Sequence, residues 1–367
     1  MRMLTETREC GARALHAVLT ALLALQLCGC GTPYLMQAAA GEWHVMRARE
    51  PIARVIADPQ TPATLRARLT LVSEARAFAS SELELPDNRS YRTYADIGRD
   101  YVVWNVVATP EFSVVPRHWC FPVAGCVSYR GYFHESAARK FAAGMAHQGF
   151  DVAIDPVPAY STLGKFADPV LSSMLRYGDD ELVATIFHEL AHQLLYVKDD
   201  SAFNEAFATT VEDAGLERWL VQHGSTQRMQ AFRDDAAREE QFLKLLAGAR
   251  AQLAALYASG ASPQQMRARK QQILTALGEA IHAFEKREHV SYPLYDQWIA
   301  EGLNNARLAS VATYYDCVPG FKRLLAKEHG DLPAFYAAAR ALAKLPRKER
   351  HQQLCGPAAV AADAEED

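Results

Sequence analysis

Residues 179–198, with the sequence DDELVATIFHELAHQLLYVK, decide how the middle of this chain folds. Their apolar residues recur at the spacing of one face of an α-helix. Asp179 and Asp180 can cap the start of that helix, and Lys198 lies at its end, where a cation stabilises the helix dipole. The stretch therefore predicts a helix that runs from Asp179 to Lys198.

Two histidines and a glutamate interrupt the apolar part of this helix. His188 and His192 are four positions apart, so they lie one above the other on the same face and can bind one metal ion. Glu189 is turned about 100° from His188, which places it beside the metal, where it can accept a proton from metal-bound water. The alternative is a helix with two half-exposed histidines and a surface glutamate. Burying three polar groups without a use would be costly, so we favour the metal site.

A second helix is predicted to supply the third metal ligand. Ser201 can cap a helix that carries Glu205 and Glu212, and twelve residues separate His192 from Glu205. That distance allows a turn and one antiparallel helical turn, so Glu205 can face the histidines. Two histidines and one carboxylate leave a fourth position open, which is the arrangement of catalytic zinc, and we predict one Zn²⁺. Glu212 lies on the same face and can orient a histidine N–H group, whereas the competing interpretation makes Glu205 a surface acid.

The remaining pattern predicts an α+β fold that is mostly helical. A small antiparallel sheet is expected between residues 100 and 160, because β-branched and aromatic stretches there are separated by prolines. Its predicted strands are residues 101–107, 112–119, 127–133 and 150–154, with a helix at 135–148. From residue 169 onward the chain is predicted to be helical, including a hairpin of two long helices at 226–259 and 263–286.

These elements divide the chain into five predicted regions. They are a signal peptide (1–29), an N-terminal α+β region with the small sheet (30–178), the metal-binding helix pair (179–222), a helical C-terminal region (223–357) and a disordered, acid-rich tail (358–367). The net charge of −4 gives no basic field, so nucleic acid is not an expected partner. The oligomeric state does not follow from the sequence.

The N-terminus has the features of a secretory signal. Arginines precede an apolar stretch at residues 14–27, which is too short for a comfortable transmembrane helix. The ending Leu27-Cys28-Gly29-Cys30 resembles a bacterial lipobox, in which cleavage occurs before a cysteine that becomes lipidated. We predict Cys30 as that residue. Because Gly31 is not an aspartate, we expect an outer-membrane anchor that faces the periplasm; an ordinary soluble secretory signal is the alternative.

Four cysteines remain once Cys30 is lipidated. An even number in an oxidising compartment favours two disulfides among Cys120, Cys126, Cys317 and Cys355. The favoured hypothesis pairs Cys120 with Cys126 and Cys317 with Cys355, although four cysteines allow three connectivities. A zinc site made of Cys120, Cys126 and His118 is less favoured, because the cysteine spacing is wider than in such sites and no second pair follows.

The segment 188–212 resembles the gluzincin metallopeptidases. The similarity rests on His188 to His192, on Asn204-Glu205-Ala206-Phe207-Ala208 and on Glu212. The aminopeptidase branch of the gluzincins has Asn-Glu-Gly-Phe-Ala with a further Glu seven residues after the ligand. This chain has a shorter gap than that branch and carries Ala206 in place of the glycine. It also lacks the Gly-x-Met-Glu-Asn motif that binds the substrate α-ammonium group in that branch, so endopeptidase action stays open.

The whole mature chain is also similar to a family of bacterial aminopeptidases whose activity is largely inferred. That resemblance rests on four further segments: Cys120-Phe121-Pro122 with Gly125-Cys126-Val127, residues 129–133 (YRGYF), 159–164 (AYSTLG) and 303–308 (LNNARL). It implies a peptide substrate, with Glu189 as general base and zinc-bound water as nucleophile.

The implied mechanism also needs a donor that stabilises the tetrahedral oxyanion. Tyr160, Tyr314 and Tyr315 are the candidates, although each can also be an ordinary core residue. The competing function is a non-enzymatic zinc-binding envelope lipoprotein that acts as a scaffold or assembly factor.

Overall fold

A computed structural model describes residues 32–121, 125–290 and 293–356 of the chain. The predicted signal peptide (1–29), the predicted lipidation site Cys30 and the predicted tail (358–367) lie outside these residues. The structure divides into two units, of which the first ends at Arg47 and the second begins at Ala48. The first unit contains helix α1 (Thr32–Arg47), and the second contains all other elements. The predicted division into five regions stays a prediction.

Helices dominate the second unit, which confirms the predicted mostly helical α+β fold. Before the predicted metal site they are α2 (Ile52–Ala57), α3 (Ala63–Ser81) and α4 (Glu135–His147). The stretch with the predicted ligands forms α5 (Asp179–Leu194) and α6 (Ser201–His223). After it come α7 (Thr226–Tyr257), α8 (Pro263–Glu288), α9 (Pro293–Glu301), α10 (Asn305–Tyr315), α11 (Val318–Lys327), α12 (Leu332–Leu342) and α13 (Arg347–Leu354). Of the helices in the described ranges, none is long and apolar enough to cross a membrane.

The strands form three small sheets. In chain order they are β1 (Arg49–Pro51), β2 (Thr93–Ala95), β3 (Val103–Pro110), β4 (Trp119–Phe121), β5 (Gly125–Val127), β6 (Arg130–Tyr132), β7 (Phe150–Val157) and β8 (Val170–Leu171). Strand β3 lies between β6 and β7 in an antiparallel sheet. Strands β4 and β5 form a hairpin, and β1, β2 and β8 form a mixed sheet in which β2 and β8 are parallel.

The structure changes several strand predictions. The predicted strand at 112–119 is wrong, because residues 112–118 form turns and loop, and only Trp119 belongs to a strand. Pro110 and Pro116 flank most of this stretch and have no N–H group to donate to a ladder. The predicted strand at 127–133 is divided between β5 and β6. The mixed sheet lies outside the predicted range of 100–160, since its strands of two or three residues are too short to show an alternating pattern.

Helices α5 and α6 pack closely side by side. A Cβ atom at Gly215 of α6 would lie 2.8 Å from the ring of Phe187 on α5, so the glycine allows the approach of the two helices. Phe187 is fully buried and stacks on Phe78 of α3, with ring centroids 5.9 Å apart. Phe78 also meets Trp219 of α6 edge-on at 5.2 Å. Aromatic packing against α3 therefore stabilises the pair of helices that carries the predicted ligands.

The connector between α5 and α6 differs from the prediction at both ends. Helix α5 ends at Leu194 rather than at Lys198, because Leu195 is extended and Asp199 has a φ of 66°, in the left-handed region. Asp200, not Ser201, caps α6, and its carboxylate accepts a hydrogen bond from the Phe203 N–H group at 3.1 Å. Residues 195–200 thus form a short, non-helical connector.

Two disulfides join the cysteine pairs that the sequence favours. Cys120 is bonded to Cys126 and closes the β4–β5 hairpin. Cys317, which caps the start of α11, is bonded to Cys355, the residue that follows α13. The alternative zinc site at Cys120, Cys126 and His118 is therefore not formed, because both sulfur atoms are used in a disulfide.

Candidate metal centre

The three predicted ligands meet between α5 and α6. The Nε2 atoms of His188 and His192 are 3.1 Å apart, and Oε2 of Glu205 lies 3.4 Å from each of them. Helix α5 supplies the histidines from consecutive turns, and α6 returns antiparallel, so that Glu205 lies opposite both. His192 and Glu205 are buried, with 8% and 9% of their surface exposed. The three donor atoms therefore face one another in a place with little water.

The triangle of donor atoms has the size that a zinc ion requires. Zn²⁺ binds imidazole nitrogen and carboxylate oxygen at about 2.0–2.1 Å with tetrahedral geometry, so its ligand atoms lie about 3.3 Å apart. The observed edges of 3.1, 3.4 and 3.4 Å match that separation. Two imidazoles and one carboxylate are also donors that zinc prefers. His188, His192 and Glu205 thus fit one Zn²⁺ in both geometry and chemistry.

Glu212 orients the first histidine. Nδ1 of His188 donates a hydrogen bond to Oε2 of Glu212 at 2.8 Å. This contact fixes the orientation of the ring and directs Nε2 toward His192 and Glu205, where it can bind a metal ion once its proton has left. The structure thus places Glu212 behind His188, as expected from its position two helical turns after Glu205.

Glu205 and the neighbouring histidines each stabilise the charged form of the other. Burial by itself would raise the pKa of Glu205, but His192 and His188 outweigh that effect and lower the pKa to about 2. Burial would lower the pKa of His188, yet its hydrogen bonds with Glu205 and Glu212 raise this pKa well above the usual value. Glu205 is therefore an ionised carboxylate over the whole physiological pH range, and a metal ion at this site competes with a proton on His188.

Glu189 lies beside the ligands in a buried environment. It is 8% exposed, and burial raises its pKa, while His188 and His192 act in the opposite direction. A carboxylate with a raised pKa is suited to take up and release a proton near neutral pH. The position and the pKa direction both agree with the role of general base that the motif suggests.

Two residues that the sequence did not indicate complete the surroundings of Glu189. Tyr91 is 1% exposed, and burial, followed by the charges of Glu189 and Asp168, raises its pKa well above the usual value. Its φ of 60° is rare for a residue with a bulky side chain. The Tyr91 N–H group donates to the backbone oxygen of Asp168 at 2.6 Å, and the Asp168 carboxylate accepts hydrogen bonds from the N–H and hydroxyl groups of Thr162. Neither residue belongs to a motif, so nothing local in the sequence could have identified them.

The structure separates the three candidate tyrosines. Tyr314 lies in the field of the centre, since burial, then Glu205, and more weakly Glu189 raise its pKa. Tyr315 instead donates a hydrogen bond from its hydroxyl to Glu239 of α7 at 2.9 Å. Tyr160 packs edge-on against Phe133, with ring centroids 5.8 Å apart. Of the three, Tyr314 is the one whose pKa is raised by the charges of Glu205 and Glu189.

Two other groups of potential metal ligands occur in the described residues. One consists of Cys317, His351 and Cys355, but its sulfur atoms form a disulfide. The other consists of His282, Glu285 and Asp296, and two of its three members are exposed. Neither combines three available donors with the burial of the centre at His188, His192 and Glu205.

Comparison with known proteins identifies the family to which the chain belongs. The model of a family described as "Putative aminopeptidase" matches residues 33–354, which is most of the chain. The chain belongs to this family. Among curated proteins and solved structures, none matches it. Membership supports a peptidase function in general, and the matched range includes both helices of the candidate centre and the residues around it.

Removing the charge of Glu212 is expected to weaken zinc binding in this family member. In Glu212→Gln, a neutral amide oxygen replaces the carboxylate that accepts from His188 Nδ1, so the hydrogen bond is weaker and raises the basicity of Nε2 less. Loss of such an outer partner costs roughly 10–100-fold in metal affinity. Competition with a chromophoric chelator measures the change.

Glu217→Gln is the matched control for this variant. Glu217 lies on the same helix and pairs with Arg233 at the surface, so its substitution should leave zinc affinity unchanged. Equal affinity in Glu212→Gln and the wild type would show that Glu212 does not act on the metal centre.

Proposed function

We propose that this protein is a zinc-dependent peptidase, and by its family an aminopeptidase. The observation that carries the proposal is the buried triangle of Nε2 of His188, Nε2 of His192 and Oε2 of Glu205, with edges of 3.1–3.4 Å. Two histidines and one carboxylate leave a further coordination position for water or substrate, which distinguishes catalytic from structural zinc sites. Family membership supports the reaction class, and the triangle supports the metal.

The residues of the chain have separate roles in this proposal. His188, His192 and Glu205 would hold Zn²⁺, which would supply a Lewis acid that polarises the scissile carbonyl and acidifies water. Glu189 takes the proton from the attacking water and delivers it to the leaving amine. Its burial keeps that proton exchange away from bulk solvent and raises its pKa toward the working range. Glu212 keeps His188 in the orientation that binding requires.

Replacing the general base separates binding from chemistry. Glu189→Gln keeps the size of the side chain and leaves all three ligands in place, so zinc stoichiometry should stay at one ion per chain. Hydrolysis should fall by about 100-fold or more, because general base catalysis contributes typically 10²–10⁴-fold. Zinc content by elemental analysis and turnover of a peptide library measure the two effects.

The same peptides in free and N-acetylated form test the aminopeptidase part of the proposal. A requirement for the free amino end supports exopeptidase action, and equal cleavage of both forms supports endopeptidase action. A zinc-loaded native protein that cleaves no peptide would contradict the enzyme proposal and favour a non-enzymatic envelope scaffold.

A cavity lined by many charged residues lies on the Glu212 side of His188. The cavity has a volume of about 550 Å³, and Glu212 lines it. Other carboxylates in its wall come from Glu181, Asp213 and Glu239, each with a pKa raised first by burial. Arg228 and Arg238 also line the cavity and pair with Asp180 and Asp235, and Asp213 pairs with Lys322. The described residues that line the cavity do not include His188, His192 or Glu205, and Glu212 binds the His188 nitrogen that faces away from those ligands, so the cavity lies behind the centre.

Tyr314 is proposed to donate a hydrogen bond to the oxyanion of the tetrahedral intermediate. Its raised pKa keeps the phenol protonated throughout the neutral range, as a donor must be. Loss of one oxyanion donor costs roughly 10²–10³ in kcat, so Tyr314→Phe should lower kcat by about 100-fold with little effect on KM or zinc content.

Tyr315→Phe is the neighbouring control. It removes a hydroxyl that is bound to Glu239, so its kcat should remain close to that of the wild type. A kcat that falls in Tyr315→Phe but not in Tyr314→Phe would reverse the assignment of the two tyrosines.

We further propose that the mature chain is lipidated at Cys30 and faces the periplasm from the outer membrane. Helix α1 begins at Thr32 and exposes Leu35, Met36 and Trp43. These three residues fall within one side of the helix, which suits contact with a bilayer surface, where tryptophan is favoured. The two disulfides also fit an oxidising compartment.

Mass spectrometry of the mature N-terminus tests this localisation. We expect an acylated cysteine at position 30, and in membrane fractions the protein should follow outer-membrane markers. Cys30→Ser should abolish acylation and release the protein. An unmodified N-terminus produced by cleavage at another position would contradict the lipid anchor.

A further inference from the structure

The connector between the two metal-binding helices is held by contacts from distant parts of the chain. It consists of residues 195–200, and it determines how α6 returns along α5. Within the connector, the N–H group of Val197 donates to Oδ1 of Asn204, and Nδ2 of Asn204 donates back to the Val197 oxygen, both at 2.7 Å. Asn204 is 1% exposed and directly precedes the ligand Glu205. The connector is therefore tied to the turn of α6 that carries the third ligand.

Asp200 links this connector to the C-terminal helix. Its side chain is fully buried, and it accepts hydrogen bonds from Nε of Arg350 at 2.5 Å and from Nε2 of His351 at 2.9 Å. The same carboxylate caps α6 by accepting from the Phe203 N–H group. A buried carboxylate needs such partners, because removing it from water would otherwise be costly. One side chain thus joins α13 to the start of α6.

Asp199 links the connector to the β4–β5 hairpin. Oδ1 of Asp199 accepts a hydrogen bond from the Cys126 N–H group at 2.6 Å. Gly125 of the hairpin has a φ of 79°, and a Cβ atom there would collide with the side chains of Asp199 and Lys198. Only glycine allows both this backbone conformation and this close approach.

Both of these contacts lie next to a disulfide. Cys126, which donates to Asp199, is bonded to Cys120 across the hairpin. Arg350 and His351 lie on α13, which ends immediately before Cys355, and Cys355 is bonded to Cys317 at the start of α11. Two consecutive aspartates of the connector are therefore held by two segments that are each closed by a covalent bond.

We propose that Asp199 and Asp200 are positioning residues for the metal ligand Glu205, held in place by the two disulfide-closed segments. Glu205 follows Asp200 by five residues, or about 7.5 Å along the helix, so a shift at the start of α6 moves Oε2 of Glu205 relative to the two imidazoles. It follows that high-affinity zinc binding depends on the formation of both disulfides. The inference rests on the proposed zinc site.

Zinc affinity of the full mature chain tests the role of Asp200. In Asp200→Asn, the cap can still accept a hydrogen bond but the charge opposite Arg350 and His351 is lost. We expect zinc affinity to fall roughly 10–100-fold, as for other residues that orient ligands. The absorption spectrum of the Co²⁺-substituted protein should also change, because it reports ligand geometry.

Asp331→Asn is the matched control. Asp331 caps α12 in the same way, by accepting a hydrogen bond from the Ala334 N–H group at 2.8 Å. It should leave zinc affinity and the Co²⁺ spectrum unchanged. All variants are compared at a temperature where circular dichroism shows them folded.

Glycine variants test the contact at Asp199. Gly125→Ala should push the hairpin away from Asp199 and lower zinc affinity. Gly260→Ala carries a similar backbone strain, with a φ of 72°, but nothing lies within 4 Å of its added Cβ atom. It should therefore leave zinc affinity unchanged.

Cysteine pairs test the dependence on the disulfides. The double variants Cys120→Ser/Cys126→Ser and Cys317→Ser/Cys355→Ser should each bind zinc more weakly than the wild type. If Asp200→Asn and both double variants lower only the melting temperature, and zinc affinity and the Co²⁺ spectrum stay as in the wild type, the positioning role is wrong. If the wild-type protein itself binds no zinc, the proposed function fails instead.

Discussion

The proposed metal site requires that three donor atoms from two helices lie within 3.4 Å of one another. Two of them come from α5 and are fixed by helical geometry alone, since residues four apart lie on the same face. The third comes from α6, so its position depends on the packing and register of the two helices. Gly215 allows the close approach of these helices, and residues 195–200 connect them.

Because the candidate centre is buried, charge interactions there shift the pKa of Glu205 downward and the pKa of His188 upward. The desolvated carboxylate of Glu205 is stabilised by the imidazoles, and its pKa falls to about 2. His188 in turn is stabilised in its protonated form by Glu205 and Glu212. A divalent cation can replace that proton and pair with the same carboxylate. The ionised Glu205 that pairs with His188 can therefore also bind a metal ion. Glu189, one residue from His188, shares the low-dielectric surroundings and has a raised pKa.

Local patterns were sufficient to predict the helix that carries His188 and His192 but not its surroundings. The spacing of His188 and His192 and the apolar face of α5 are contained within sixteen residues. The position of Glu205 opposite the histidines could be predicted because the chain between the helices is short. The predicted helix ends were wrong because Asp199 is left-handed and Asp200 caps α6. Short strands and the turns at 112–118 gave no clear period.

Contacts across long sequence distances were not predictable. Asp200 meets Arg350 and His351 about 150 positions later, and no motif links them. Tyr91 and Asp168 approach Glu189 only because separate loops fold over the same helix. Burial and charge at these residues become visible only when the fold is known, since a single aspartate or tyrosine in a loop is most often a surface or packing residue.

Anomalous diffraction at the zinc absorption edge, from crystals of the zinc-loaded protein, tests the metal centre most directly. We expect one anomalous peak per chain, bonded to Nε2 of His188, Nε2 of His192 and a carboxylate oxygen of Glu205, with a further position held by water. A peak at His282, Glu285 and Asp296, or a zinc ion closed by four protein ligands, would contradict the proposed open site.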